Sequence, residues 1–443
     1  MPRQTPRKGI HRVAAEAISQ LGCFYRKTVL PNKIRVVTEH IPHVRSVSVG
    51  VWIETGSRDE TEDQNGISHF LEHMVFKGTT KRSAPEISRS LESVGGYLNA
   101  FTGKEHTCYY ARVLDEYADL ALDILSDLVR NATFPVKELE REKGVVIDEL
   151  RNAEDDADDI IHDYFEKALY GDHPMGYTII GKEKNLRSLT QADLFRFYEL
   201  NYHPARMVVS AAGNVEHDKF VELVSKYFGD SWNGHRPGVL ERHKPRARKA
   251  EIVEMEKPIQ QAHLCMGTRA YSIRSRNRYP LLVLNTLLGD GMSSRLFQNI
   301  REKYGFAYSV YSFANFLSDT GTFGVYIGTD KAHVETSKGL IQKELDKLRK
   351  KPTSRAELER TKAQLKGNMM LSLENIPSRM MRLGTSELYF QEVSSLDTIL
   401  KKIDQVTQED LFETAGGLFN HDTYCRVTFI PNATAPSGAP ARP

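Results

Sequence analysis

The segments "ELEREKGVVIDE" (138–149) and "ELERTKAQLKGN" (357–368) decide how this chain is built. They share their first four residues and lie 219 positions apart (357 − 138), close to half of the 443-residue chain. Working outward, the flanking segments come in the same order around each copy. In the first half, "VRSVSVGVWIETG" (44–56) alternates Val47, Val49, Val51 and Ile53, the period of a strand. "SAPEISRSLESV" (83–94) opens with Ser83 and Glu86 as a capping box and Pro85 in the first helical turn. "GGYLNAF" (95–101) and "HTCYYARVL" (106–114) read as strands, and "YADLALDILSDLVRN" (117–131) as an amphipathic helix. In the second half, "AHLCMGTRAYS" (262–272) reads as a strand and "YPLLVLNTLLGD" (279–290) as an apolar helix. "RLFQNIREKYGFAYSVYSF" (295–313) reads as helix–turn–strand and "TGTFGVYIGT" (320–329) as a further strand. The pattern predicts one α+β unit present twice. Domain boundaries are expected at 28–231 and 252–433, joined by a Gly/Pro-rich and basic linker at 232–251.

Composition sets outer limits. Apolar residues make up 40% and charged residues 27% of the chain, a balance that argues against general disorder. The formal net charge of +2 argues against a nucleic-acid partner held by bulk charge. No apolar run approaches the ~18 residues of a membrane-spanning helix. Cys23, Cys108, Cys265 and Cys425 lie far apart and form no CxxC pair. They fit reduced thiols in a cytosol-like compartment. Residues 1–27 carry Arg3, Arg7, Lys8, Arg12, Arg26 and Lys27 against the single acid Glu16. Without an apolar core they read as a disordered basic extension or as a transit peptide. The Pro/Ala-rich residues 434–443 are expected to be a disordered tail.

With no cysteine pair, a metal site has to use histidines and carboxylates, and "GISHFLEHMVFKGTT" (66–80) offers both. On a helix His69 and His73 are i and i+4, one face, with Glu72 beside them. Two imidazoles one turn apart can hold one zinc ion, and Glu72 is near enough to take a proton from a metal-held water. Phe70, Leu71, Met74 and Phe76 would pack the helix into a core. The string alone also fits an ordinary core helix. A catalytic zinc wants a third protein ligand and an open fourth position. The candidate is Glu149, 76 residues after His73, with Glu142 seven residues before it. Seven residues are about two turns of helix, so the two acids share a face. One can bind metal while the other orients a histidine. Either could equally be a solvated surface charge. The second copy bears on the choice: its residues at the 219 offset are Thr361 and Asn368. The half without HxxEH also lacks both acids, so the four groups are kept together and lost together.

HxxEH followed by Glu at this distance is the inverzincin pattern. With "GGYLNAFTGKEHTCYYARVL" (95–114), "ELEREKGVVIDEL" (138–150) and "NYHPARMVVSAAGNV" (201–215), the chain resembles the pitrilysin/insulinase-type zinc metallopeptidases. Within them it resembles most the β subunit of mitochondrial processing peptidase and its bacterial relatives. The likeness runs over about residues 25–435. It implies an α+β fold of two homologous domains, each a mostly antiparallel sheet packed with helices, the second non-catalytic. It implies one zinc ion per chain on His69, His73 and Glu149, Glu72 as general base and Glu142 as the supporting acid. Arg301 and Tyr308 in "IREKYGFAY" match an Arg and a Tyr that the family keeps seven apart. There they would donate to the substrate carbonyl or oxyanion. The resemblance further implies an edge strand at "YLNAF", where Asn99, Ala100 and Phe101 pair with an extended peptide. Phe76 would line the pocket after the cut, although it suits a plain core position equally. A second chain is implied as partner, either identical or a related inactive one. The bacterial relatives point to a bacterial cytoplasm, with a mitochondrial matrix as the alternative.

The segment "EDDADDIIHD" (154–163) is expected to set Asp155, Asp159 and Asp163 in one helical stripe. Like charges so spaced cost about 0.2–0.5 kcal/mol per pair. The stripe is therefore expected either to meet a substrate cation, with Asp159 and Asp163 where processing peptidases recognise arginine, or to be a solvated acidic face. The expected function is a zinc-dependent endopeptidase for extended or presequence-like peptides. Its rival is a non-catalytic core subunit of a respiratory or processing complex, a role whose holders lose the zinc ligands kept here.

Overall fold

The structure, a computed structural model, describes residues 17–18, 24–229, 240–246 and 248–432. The expectations for residues 1–16 and 434–443 lie outside them. Strands β1 (Ala17–Ile18), β2 (Phe24–Val29), β3 (Arg35–His40), β4 (Ser46–Ile53), β5 (Tyr97–Thr102), β6 (Thr107–Leu114) and β7 (Met207–Gly213) form one sheet in the order β1-β2-β3-β7-β4-β6-β5. Strands β8 (Ile252–Lys257), β9 (Ala262–Ala270), β10 (Ala307–Phe316), β11 (Gly321–Thr329) and β12 (Cys425–Pro431) form a second in the order β10-β11-β9-β12-β8. Read from β5 and from β10, the two sheets have the same plan. Three antiparallel pairings are followed by one parallel pairing, β7 with β3 and β12 with β8. The duplication predicted from the sequence is thus present as topology, in an α+β fold.

The described chain falls into two compact units. The first holds the residues up to Ile147, Thr178–Arg242 and Met370–Thr398. The second holds Asp148–Tyr177, His243–Met369 and the residues from Ile399 on. These differ from the contiguous stretches 28–231 and 252–433. Residues 24–27 already belong to β2, and Arg242, inside the expected linker, is packed in the first unit on Asp59 at 2.7 Å. The main difference is an exchange. Helix Ala157–Tyr170 packs on β9 and β12 in the second unit. Its counterpart at the 219 offset, Ile376–Phe390, packs on β3, β4 and β7 in the first.

The reason is that each sheet has two faces to cover. Val47, Val49, Val51 and Ile53 of β4 face the main core of the first unit, with Phe70, Leu71, Met74 and Val146. The alternate residues Ser48, Gly50 and Trp52 face the other side, where Trp52, Met380 and Leu383 form a separate cluster. In the second sheet Leu264 and Met266 face one core, and Cys265 faces the cluster of helix Ala157–Tyr170. Helix Ile376–Phe390 approaches the first sheet closely. A Cβ on Gly384 would stand 2.1 Å from the Trp52 indole, and one on Gly50 would stand 2.4 Å from Met380 Sδ.

These two glycines are expected to differ in cost. Overpacking costs about 1–3 kcal/mol, while alanine's helix propensity returns about 1 kcal/mol at Gly384. The buried indole has no room to yield, so Gly384→Ala should lower stability by about 2 kcal/mol. The flexible Met380 side chain can move, so Gly50→Ala should cost less. Urea unfolding of the two variants checks the order.

Candidate active site

The helix that carries HxxEH is Ile67–Val75, and its start is unusual. The N-cap is Gly66 at φ +103, which has no side chain to cap the free N–H groups. A Cβ there would also meet the Ile180 carbonyl at 2.6 Å. The cap comes instead from Glu60. Its carboxylate accepts from Gly66 N–H and Ser68 N–H, both at 2.8 Å, and from Asn65 Nδ2 at 3.0 Å. Asn65 also donates to the Thr178 carbonyl. The helix therefore begins at a fixed point, and Phe70, Leu71 and Met74 bury its inner face as expected.

His69 is buried and His73 half-buried, with ring centroids 4.8 Å apart. Behind them runs the unbroken helix Val136–Asp155, which belongs to the first unit through Ile147. Glu142 on this helix is 3% exposed. It faces His73 Nδ1 at 3.3 Å with one oxygen and Lys77 Nζ at 2.7 Å with the other. Two turns on, Glu149 comes round to the same side. The ligand atoms of His69, His73 and Glu149 all lie within 4.8 Å of one another. In a tetrahedral zinc site donors about 2.1 Å from the ion stand roughly 3.4 Å apart, so small torsional shifts close the set. Two imidazoles, a carboxylate and a carboxylate behind one imidazole fit zinc. Of the two acids, Glu149 lies with both imidazoles, while Glu142 faces His73 Nδ1.

Glu72 lies on the same helix turn, between the two histidines in sequence. Thr102 Oγ1 donates to its Oε2 at 2.5 Å. Its charge, after burial itself, helps to hold the Cys108 thiol and the Tyr109 hydroxyl in their neutral forms. Thr102 closes β5, which is an edge strand of its sheet, as the resemblance implied. On β5, Leu98 and Ala100 pack toward the main core, while Phe101 stacks edge-on against Trp52 on the other face. The Ala100 N–H is taken by Asn99 Oδ1 at 2.8 Å, and Asn99 Nδ2 donates to Tyr97 Oη at 2.6 Å. Phe76 ends the HxxEH helix, half-buried, 6.3 Å from the Tyr109 ring.

Arg301 and Tyr308 lie in the second unit, both exposed. Arg301 is on a π-helical turn, Phe297–Glu302, with its guanidinium over Phe297. Tyr308 sits where the register of β10 against β11 slips, between Ala307 and Ser309. π-turns and bulges re-aim side chains and recur at functional sites.

A family model described as Insulinase (Peptidase family M16) matches residues 35–183, and one described as Peptidase M16 inactive domain matches residues 188–365. A relative from Bacillus subtilis, the uncharacterized zinc protease YmxG, is 44% identical, covering 92% of this chain and 98% of that one. An uncharacterized zinc protease of Streptomyces coelicolor is 41% identical, over 87% of this chain and 85% of its own. The chain belongs to peptidase family M16. Solved structures agree on the fold. A protease from Helicobacter pylori superposes with a TM-score of 0.87 at 24% identity, over 92% of this chain and 99% of that one. An M16 inactive-domain structure from Pseudomonas fluorescens gives 0.86 at 20%, over 93% and 99%.

One expectation for this M16 chain is corrected. Asp155 ends one helix and Asp156 caps the next, accepting from Asp158 N–H at 3.1 Å. Asp155 is therefore not on one stripe with Asp159 and Asp163, which alone share helix Ala157–Tyr170. Asp158 and Asp159 occupy its first turn, where acids stabilise a helix. Glu60, Lys77 and Thr102 were missed. Thr102 had a signal, since period two from Leu98 and Ala100 places it on the core side of β5. Glu60 had none, because its partners lie on a turn five to eight residues on.

Burial pushes the Glu60 carboxyl from an ordinary 4.5 up to about 7, against the pull of its donors. Between those values the folded chain holds a proton that the unfolded chain has released. This contribution to stability is complete below the lower value and is lost as pH rises through the upper one, by at most about 1.4 kcal/mol per pH unit. Glu60→Gln should flatten that slope in urea titrations between about pH 5 and about pH 7.5. Parallel profiles for variant and wild type would refute the assignment.

Proposed function

We propose that this M16 chain is a zinc-dependent endopeptidase for extended peptides, and the observation that carries the reading is the convergence of His69, His73 and Glu149. Those three would hold the ion. When bound, zinc supplies a Lewis acid that brings the pKa of a coordinated water to roughly 7 and polarises a carbonyl. Glu142, itself paired with Lys77, would hold His73 by Nδ1 and so orient the ring that would help to hold the ion. Glu72 takes a proton from the attacking water and returns it to the leaving amine. The backbone of β5 at Asn99, Ala100 and Phe101 adds the substrate as a further strand, after Asn99 gives up its hold on Ala100 N–H. Phe101 itself is turned to Trp52, so this strand grips backbone and leaves sequence choice elsewhere. Phe76 lines the far side of the cut.

Arg301 and Tyr308 are read as donors to the substrate carbonyl or oxyanion, supported by the π-turn and the bulge that expose them. Asp159 and Asp163 are read as the groups that favour a basic residue near the cut. That reading now rests on this i, i+4 pair alone, since Asp155 ends the preceding helix. The relatives compared are bacterial, and Cys108, Cys265 and Cys425 are free and buried. Both facts support a reducing bacterial cytoplasm. Among the described residues no helix is long and apolar enough to cross a membrane. A second chain, identical or related, is proposed as partner, and light scattering reads its presence.

Digestion of a peptide library, read by mass spectrometry, tests the function. Wild type with zinc should cleave internal bonds of unfolded peptides, and chelator should abolish this. Glu72→Gln should keep its zinc and lose about 10²–10⁴-fold in rate. Asp159→Asn with Asp163→Asn should lower cleavage beside Arg and Lys more than elsewhere. A zinc-loaded wild type that cleaves nothing would leave the structural-subunit role instead.

A further inference from the structure

Thr102 joins two features that the proposed chemistry treats separately. It is the last residue of β5, the edge strand offered to a peptide. Its hydroxyl is also the donor to Glu72 Oε2, at 2.5 Å. A general base needs one lone pair aimed at the proton it receives, and a carboxylate on a flexible Glu side chain does not hold such an aim unaided.

The donor is rigid for reasons that can be traced. Threonine is β-branched and stiff about χ1. Thr102 pairs with Thr107 across the hairpin, and Thr107 Oγ1 donates to the Thr55 carbonyl at 3.0 Å. The hairpin tip is tied down in turn. Gly103 N–H donates to the His106 carbonyl at 2.8 Å, and the Gly103 and Lys104 carbonyls accept from Ser57 N–H and Arg58 N–H. Glu105 is buried against Arg58 at 2.5 Å, both side chains 1% exposed, and its carbonyl accepts from Arg242 at 2.7 Å. Breaking one member of such a buried pair is costly, so the tip does not wander.

We propose that Thr102 is the positioning residue for Glu72. Its hydroxyl sets the carboxylate for proton transfer, so one strand both docks the peptide and orients the base. The proposal rests on reading Glu72 as that base, and the experiment separates the two. Full-length protein loaded with zinc is compared as wild type, Thr102→Val and Thr102→Ser on one peptide found by library digestion.

Thr102→Val keeps shape and β-branching but has no hydroxyl. It should lower kcat about 10–100-fold, with KM within about twofold and zinc stoichiometry unchanged. Thr102→Ser should recover most of the loss. In a Glu72→Gln background the Val change should cost nothing further, because the group it orients is gone. Thr102→Ala serves if the Val variant does not fold. The proposal is overturned if Val leaves kcat within twofold of wild type, if Ser is as slow as Val, if zinc is lost, or if the costs of Val and Glu72→Gln simply multiply. A wild type that binds zinc and cleaves no peptide overturns the base assignment itself, and this proposal with it.

Discussion

A carboxylate 3% exposed is costly to bury without partners, and Glu142 is such a group. It is tolerated because Lys77 neutralises it on one side and His73 Nδ1 meets it on the other. That requirement locks helix Val136–Asp155 against helix Ile67–Val75 in one register and one rotation. Once the register is set, Glu149 follows two turns later without further choice. The convergence of His69, His73 and Glu149 is therefore a consequence of a buried ion pair. Lys77 does this from just beyond the end of its helix, where Phe76 is the C-cap.

Charge also specifies the exchange of helices. Helices Ala157–Tyr170 and Ile376–Phe390 are counterparts, each a short amphipathic element able to cover a sheet face. In the first unit, Lys27 reaches Glu387 at 2.7 Å and Glu39 reaches Arg379 at 2.6 Å, with Glu387 fully buried. In the second unit the docked helix brings Asp158, which accepts from Tyr326 Oη at 2.5 Å and lies 2.8 Å from His263 Nδ1. A helix docked on the wrong sheet would bury Glu387 without Lys27, or leave His263 and Tyr326 without Asp158. Stranding the buried Glu387 costs several kcal/mol, more than an apolar mismatch between two similar helices, and losing Asp158 removes a hydrogen-bond partner of Tyr326 and His263. Gly384 against Trp52 adds a steric condition of the same kind.

What could be read in the sequence follows from range. Strand period, capping boxes and the HxxEH spacing are local, and Ser83 with Glu86, the β4 alternation and the His69–His73 pair all formed as read. The 219 offset carried the duplication because repeats are visible without contacts. The exchange was not legible, since the apolar pattern of either helix fits either sheet, and only partners far apart along the chain, such as Lys27 and Glu387, discriminate. Glu60 was hidden for a related reason: it caps a helix from outside the window in which caps are sought. The acidic run at 154–163 misled because a continuous helix was assumed through Asp156, whose own side chain caps a new start.

That broken run changes how acids near this site should be weighed. Charge repulsion along one helix was the argument for function, and the structure narrows it from a stripe of three to the pair Asp159 and Asp163, while Asp156 and Asp158 already have local work as cap and as partner to Tyr326 and His263. Asp159 is exposed at the same helix start, where the dipole alone favours an acid. Asp163 sits mid-helix and half-buried, with an interaction of its own in the fold. Both acids of the pair are thus accounted for locally before any substrate is considered, so an acidic run by itself is weak ground for a recognition site.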